Sequence, residues 1–323
     1  MKAILLNIIF FSFFGMLFVN SVQAKSTQTN GSQVSTNSED SGGMIDKSLQ
    51  KNLDSKINFI LNHKPAVAMP DFKAKKLNIT VSIQPLAYFV KGIAGESASY
   101  DVLVPKNKNA ETFEPNFSTM ESLQNADLFI GVDMPFEKVW LPRVIHNNDI
   151  KTLILDTPIG LQNMPHIWLS AKNAKRIAYV IYQELSKLEP SNEPYFKYNL
   201  ALTLARLDIV DKKMEAMLKT MPKKSFVTYH SSFNNIADDY GLDEISLQTH
   251  GKSYGMSKII KISKEAKALG IKRVLAELED ANTDIKVLAK NIGAKVVTID
   301  PLSSDYEANL LHIADEISKS YQP

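Results

Sequence analysis

The sequence contains no cysteine among its 323 residues. Disulfide bridges and thiolate metal sites are therefore excluded. The absence of a cysteine after the first apolar segment also gives no support to a lipid-anchored lipoprotein. Stability must come from a hydrophobic core instead, and 44% apolar residues over this length are enough for two modest domains.

The sequence also has little net charge. The formal charge is only +2, and the Lys and Arg residues are scattered along the chain. Nucleic-acid-binding domains concentrate basic residues on one face or in one stripe. We therefore expect no nucleic-acid partner.

Long hydrophobic runs are missing except at the N-terminus. The run from Ile4 to Val19 follows Lys2, is interrupted by polar residues, and is shorter than the ~20 residues of a membrane span. Small residues precede a cleavage position after Ala24. We interpret residues 1–24 as a cleaved signal peptide, with an uncleaved anchor as the alternative, and expect a periplasmic protein.

The next segment, residues 25–75, is poor in the residues that build a core. Lys25 to Gly43 consists largely of Ser, Thr, Asn, Gln and Gly, which cannot bury enough surface to offset chain entropy. The apolar residues between Ile45 and Leu61 have helical spacing, which predicts a short amphipathic helix. We expect the compact protein to begin near Lys76.

From Leu77 onward the pattern alternates strands with helices, which favours parallel βα units. We predict an α/β protein of two lobes, residues 76–190 and 222–323, each a mostly parallel βα sheet. Residues 191–221 are predicted to form one long interlobe helix, whose stretch from Asn192 to Leu218 would span roughly 40 Å.

Metal-capable side chains follow four of the predicted strands, two in each lobe: Glu111, His166, His230 and Asp300. In open parallel sheets, ligands bind beyond the carboxyl ends of the strands. If the lobes face each other, these side chains converge in the cleft between them. Two imidazoles and two carboxylates suit a divalent transition metal. Each residue also has an ordinary structural explanation, such as a turn at Asp300-Pro301.

Several segments resemble the zinc- and manganese-binding solute-binding proteins of ABC importers. They are Ile-Gln-Pro-Leu at 83–86, Leu-Gln-Asn-Ala-Asp-Leu at 123–128, Pro-His-Ile-Trp-Leu-Ser at 165–170, Val-Thr-Tyr-His-Ser-Ser-Phe at 227–233 and Ile-Asp-Pro-Leu at 299–302. The resemblance extends from about Leu77 to the C-terminus.

This resemblance implies a function. It implies a periplasmic metal-binding component without catalytic activity that captures zinc, or next manganese, and delivers it to an inner-membrane ABC permease. It implies that Glu111, His166, His230 and Asp300 are the ligands, and that the interlobe helix is a rigid connector. We expect a monomer.

The sequence departs from the family pattern at the first ligand. Where the family has Pro-His-Thr-Tyr-Glu-Pro, residues 110–115 read Ala-Glu-Thr-Phe-Glu-Pro, so Glu111 replaces a His. A carboxylate makes the site harder and more anionic, which shifts its preference toward manganese or iron(II). The stretch from Asp156 to Pro165 also lacks the His-rich loop that zinc-uptake members often carry.

Two other classes of function remain open. A metal-dependent hydrolase would use the same ligand types, although the sequence has no His-Glu-x-x-His motif. A surface adhesin or scaffold is the other alternative. The remaining histidines lack ligand spacing, with His250 the one closest to the predicted cleft. Glu277 and Glu279 are candidates for orienting the His ligands.

Overall fold

The computed structural model describes Ser55 and residues 76–106, 108–145, 150–162, 164–248, 256–277 and 283–323. Residues 76–323 belong to one compact unit, Gly43–Pro323. Several sequence predictions lie outside the described residues: the signal peptide, the leader with its helix, His250 and Glu279. Within the described part of the chain, no helix combines the length and apolarity that crossing a bilayer requires.

The first lobe is built on a four-stranded parallel sheet with the strand order β2-β1-β3-β4. Its strands are β1 (Leu77–Val81), β2 (Ala98–Val102), β3 (Leu128–Gly131) and β4 (Lys151–Ile154). Its helices are α1 (Gln84–Ala94), α2 (Phe117–Gln124) and α3 (Pro135–Ile145). All of β3 is buried, as expected for an apolar strand in the middle of a parallel sheet.

The second lobe repeats this topology, with the order β6-β5-β7-β8. Its strands are β5 (Ser225–His230), β6 (Asp243–Gln248), β7 (Arg273–Glu277) and β8 (Lys295–Ile299). Its helices, numbered after the two that connect the lobes, are α6 (Asn234–Tyr240), α7 (Met256–Leu269), α8 (Thr283–Ile292) and α9 (Tyr306–Ser318). In each sheet the order in which strands are added switches sides, between β1 and β3 in the first and between β5 and β7 in the second, and α/β proteins bind ligands at such a point.

Two helices connect the lobes: α4 (Ala171–Leu188) and the 27-residue α5 (Glu193–Lys219). Pro190 separates them within a short 3₁₀ turn, because proline cannot continue a helix interior. Helix α5 packs against α4, α1 and α9. The predicted fold class is therefore confirmed: two parallel α/β lobes with one long helix between them.

The larger hydrophobic core does not stop at the boundary between the lobes. It runs from the first sheet through α4 and α5 into α9, where Leu310 and Ile313 are fully buried. Phe226 and Phe233 of the second lobe belong to the same core. A smaller core between the second sheet, α7 and α8 contains Val274. The lobes are thus joined by continuous packing as well as by the chain.

A buried carboxylate supports the carboxyl end of β3. Glu137 is 3% exposed, and its carboxylate accepts backbone N–H groups of Val132 and Asp133. A Cβ atom on Gly131 would overlap the Glu137 carboxylate, so a larger residue at the last position of this strand would displace that side chain. Burial raises the pKa of Glu137 to about 7, because it penalises the charged form more than the hydrogen bonds favour it.

Two local predictions from the sequence were wrong. Ser118 precedes an apolar pattern and predicts the N-cap of a helix over 118–126, but α2 begins at Phe117. The Oδ1 atom of Asn116 accepts the Thr119 N–H at 2.9 Å and so satisfies an unpaired donor of the first turn. His230 was expected just after its strand, but it is the last residue of β5.

Candidate metal site

Three of the four candidate ligands lie together where the two lobes meet. Glu111 and His166 come from the first lobe, and His230 comes from the second. One potential ligand atom from each lies within 4.8 Å of the others. Glu111 Oε1 is 3.0 Å from His230 Nε2 and 3.7 Å from His166 Nε2. Side chains that are 55 and more residues apart in sequence thus reach one point.

These distances match the geometry of a zinc site. Zinc binds imidazole nitrogen and carboxylate oxygen at about 2.0–2.2 Å, usually with four ligands in a tetrahedron. Neighbouring ligand atoms on such a tetrahedron are roughly 3.4 Å apart. The two distances from Glu111 Oε1, 3.0 and 3.7 Å, lie on either side of that value. An ion could therefore be bound with small side-chain adjustments.

The loop after β2 orients Glu111. The Glu111 and Thr112 N–H groups both donate to Asn109 Oδ1, at 2.8 and 3.2 Å. Asn109 thereby forms a local turn that directs the Glu111 side chain. Ala110 is buried, and the Phe113 ring packs edge-on against Phe136 at 5.3 Å. The loop is thus anchored on both sides of the ligand.

His166 has an unusual backbone conformation. Its φ of 56° and ψ of 33° place it in the left-handed region, where His is one of the more tolerated residues. The 3₁₀ turn Ile167–Leu169 follows, and Leu169 N–H donates to His166 O at 3.0 Å. The second lobe supports the turn from outside, since Asn235 Nδ2 donates to Pro165 O at 2.8 Å. This conformation turns a largely buried imidazole toward Glu111.

His230 is presented by the central strand of the second sheet, between β6 and β7. Behind it, Glu244 accepts from Thr228 Oγ1 at 2.8 Å and from Phe233 N–H at 3.2 Å. Burial raises the pKa of Glu244 to about 7, while these hydrogen bonds act in the opposite direction. The Ser232 hydroxyl donates to Glu277 at the end of β7. Carboxylates therefore surround the turn that follows His230.

Asp300, the fourth candidate, lies in the same cleft but outside the group of three. It is exposed, and its Oδ1 atom accepts the Leu302 N–H at 2.9 Å. Its backbone carbonyl accepts from Asn309 Nδ2 at 2.8 Å. Asp300 thus shapes the turn before α9, in agreement with the structural explanation of Asp300-Pro301 given from the sequence. It also remains on the wall of the cavity.

The cleft encloses a cavity of about 330 Å³. Both lobes line it, and its walls include the three converging ligands, Asp300 and Glu277. Lys106 and Lys108 lie at its edge on the first lobe. The cavity is therefore accessible to a hydrated ion.

Sequence reasoning named Glu277 near His230 but missed Glu244 and Trp168. Glu244 lies on β6, where the sequence pattern predicts only a short strand over Ile245–Leu247. Trp168 was treated as part of a family motif and not as a contact of the other lobe. The signal for Glu244 is an acidic residue at an inward-facing position of a strand. A local pattern carries no comparable signal for Trp168.

Comparison with known proteins extends these observations. A family model described as zinc-uptake complex component A, periplasmic (ZnuA), matches residues 79–320. The zinc-binding protein AdcA of Streptococcus pyogenes serotype M6 is 27% identical over 267 residues, which is 70% of this chain and 50% of AdcA. The chain thus spans about half the length of these relatives. The high-affinity zinc uptake system protein ZnuA of Bacillus subtilis is 24% identical, over 72% of this chain and 80% of that protein.

Solved structures agree with the fold. A crystal structure of ZnuA is 30% identical in sequence and superposes with a TM-score of 0.72, covering 77% of this chain and all of that one. A ZnuA deletion mutant with zinc bound gives the same values. The periplasmic zinc-binding protein TroA of Treponema pallidum, at 16% identity and a TM-score of 0.69, shares the fold.

Proposed function

Because the chain belongs to the family of periplasmic zinc-uptake component A proteins, we propose that it captures a divalent transition metal, zinc first, in the cleft between its lobes for import through an ABC transporter. Glu111, His166 and His230 bind the ion. Asp300 closes the coordination when its carboxylate turns from the Leu302 N–H toward the metal. The ion is the transported substrate and not a resident cofactor.

One observation carries this proposal: the convergence of Glu111 Oε1 with the two imidazoles at 3.0 and 3.7 Å. A carboxylate between two largely buried histidines is the ligand chemistry that zinc and manganese share. The relatives named for zinc binding and zinc uptake support zinc as the first choice.

The mechanism is binding and release without a chemical reaction. The side chains replace much of the water shell of the ion, and ordering them around it costs little because they are already close together. Release then requires that Glu111 and His166 separate from His230, since they lie on different lobes. We propose that contact with an inner-membrane permease drives this separation, and that the monomer works in the periplasm after signal cleavage.

A competition titration tests the proposal. The mature protein, freed of metal by a chelator, is titrated with zinc in the presence of a chromophoric indicator. We expect one ion per chain, bound tightly enough to take zinc from the indicator. The His166→Ala/His230→Ala double variant should lose at least about 100-fold in affinity, because even ligand-supporting residues contribute 10- to 100-fold.

His312→Ala is the matched control, because this histidine is exposed on α9, away from the cleft. It should bind zinc like the wild-type protein. Equal affinity in the double variant would refute the site. Saturable zinc-dependent hydrolysis of a nitrophenyl ester would favour the hydrolase alternative instead, since that activity needs an open position on the metal.

A further inference from the structure

The turn that carries His166 is bonded to the opposite lobe through Trp168, in addition to the hydrogen bond from Asn235 to Pro165. Trp168 is 1% exposed and lies two positions after His166 in the 3₁₀ turn Ile167–Leu169. Its ring packs against the His166 imidazole, with centroids 5.3 Å apart. The position and ring orientation of His166 therefore depend on where Trp168 is held.

The indole of Trp168 is hydrogen-bonded to the turn that contains Asp300, the fourth candidate ligand. Trp168 Nε1–H donates to Pro301 O at 2.9 Å, and Pro301 directly follows Asp300. The same turn is attached to α9, because Asn309 donates to Asp300 O. One hydrogen bond thus joins the segment of His166 to the segment of Asp300 across the cleft.

The backbone of Trp168 makes a second contact with that lobe. The Tyr306 hydroxyl donates to Trp168 O. Tyr306 begins α9, is 3% exposed, and packs its ring against Tyr88 and Phe89 of the first lobe at 4.9 and 5.2 Å. Both polar groups of Trp168 that face the second lobe are therefore satisfied in a buried environment, where hydrogen bonds specify geometry most strictly.

We propose that Trp168 is a positioning residue that holds the His166 turn and the Asp300 turn at a fixed separation before any metal arrives. The proposal rests on the proposed metal-binding function. The hydrogen bonds of Trp168 with Pro301 and Tyr306, here called the brace, preorganise the cleft. Without the brace, part of the binding free energy is spent on bringing the two turns together.

The test uses the full mature chain with three single variants and the Trp168→Phe/Tyr306→Phe double variant. Trp168→Phe keeps an aromatic ring and removes the Nε1–H donor. Tyr306→Phe removes only the hydroxyl. Trp140→Phe is the control, since this other tryptophan lies on α3 and contacts Arg143 instead of the cleft. Each protein is measured for zinc affinity, for the visible absorption of its cobalt(II) complex, and for the melting temperature of its metal-free form.

We expect about five- to tenfold weaker zinc binding in Trp168→Phe and in Tyr306→Phe, the effect of one lost hydrogen bond. The double variant should lose less than the product of the two, because both changes break the same brace. The cobalt band of Trp168→Phe should shift in position or intensity, since the ligand geometry changes. The control should match the wild-type protein in all three measurements.

The proposal is overturned if Trp168→Phe binds zinc and cobalt as the wild-type protein does. It is also overturned if affinity falls only in proportion to a lower melting temperature while the cobalt spectrum is unchanged, because Trp168 would then act through stability alone. Should Trp168→Phe fail to fold, Tyr306→Phe decides by the same readouts. Absence of zinc binding by the wild-type protein, which the same titration measures first, would instead refute the proposed function.

Discussion

Glu111 Oε1 of the first lobe lies 3.0 Å from His230 Nε2 of the second. This contact crosses the cleft between two parallel sheets and joins a loop residue to the last residue of a central strand. A metal ion between these atoms would bind both lobes at once.

Glu111→His should raise the preference for zinc over manganese by about tenfold. An imidazole in place of the carboxylate makes the site softer and less anionic, which favours zinc. The ratio is measured by parallel competition titrations with the two ions. Glu114→His is the control, because Glu114 is exposed in the same loop, outside the group of converging ligands. An unchanged ratio in Glu111→His would mean that Glu111 does not touch the ion.

Asp300→Asn should weaken zinc binding by about tenfold, less than His230→Ala. The amide oxygen can still accept the Leu302 N–H, so the turn before α9 survives while one anionic ligand is lost. The comparison requires zinc affinities of both variants and the wild-type protein under identical conditions. If Asp300→Asn binds zinc with the same affinity as the wild-type protein, Asp300 has only a structural role.

Removal of metal should lower the melting temperature. A ligand present at 100 times its dissociation constant stabilises the folded state by about 2.7 kcal/mol, which corresponds to roughly 5 °C for a chain of this size. Differential scanning calorimetry with zinc and with a chelator measures the difference. In the His166→Ala/His230→Ala variant, zinc and chelator should give the same melting temperature, and a persistent difference would point to another binding site.

Glu137 should make the metal-free protein less stable as the pH rises from about 4.5 to about 7. Its pKa is raised from an ordinary value of 4.5 to about 7 in the folded state, chiefly by burial. The folded chain therefore holds a proton that the unfolded chain has already lost. The stabilisation is complete below the lower pKa and is lost as the pH passes the higher one, at up to about 1.4 kcal/mol per pH unit.

Urea denaturation at several pH values measures this loss, which for Glu137 amounts to about 3 kcal/mol. Glu137→Gln should reduce the slope of the unfolding free energy against pH by the contribution of about one proton. Glu121→Gln, at an exposed position on α2, should leave that slope unchanged. The buried Glu244 contributes in the same direction and remains in both variants. An identical slope in Glu137→Gln and the wild-type protein would contradict the prediction.

Much of this architecture could be predicted from the sequence because it is encoded locally. Apolar residues at helical spacing predict a helix over 171–188, and α4 has these bounds, Ala171–Leu188. The sequence also predicts a helix over 283–292, closed by Gly293, and a strand over 295–299, and α8 and β8 have these bounds. In each case the period of buried residues within one element determines its type, and Pro or Gly marks an end.

The tertiary structure alone decided how these elements combine. The two sheets share one strand order, which depends on pairing between strands far apart in sequence. Placement at strand ends indicated four candidate ligands, yet only packing across the lobes brought Glu111, His166 and His230 within 4.8 Å and left Asp300 bonded to its own turn. Periodicity describes neighbours along the chain, whereas the distance between two lobes is determined by side chains, such as Trp168 and Tyr306, that are 138 residues apart.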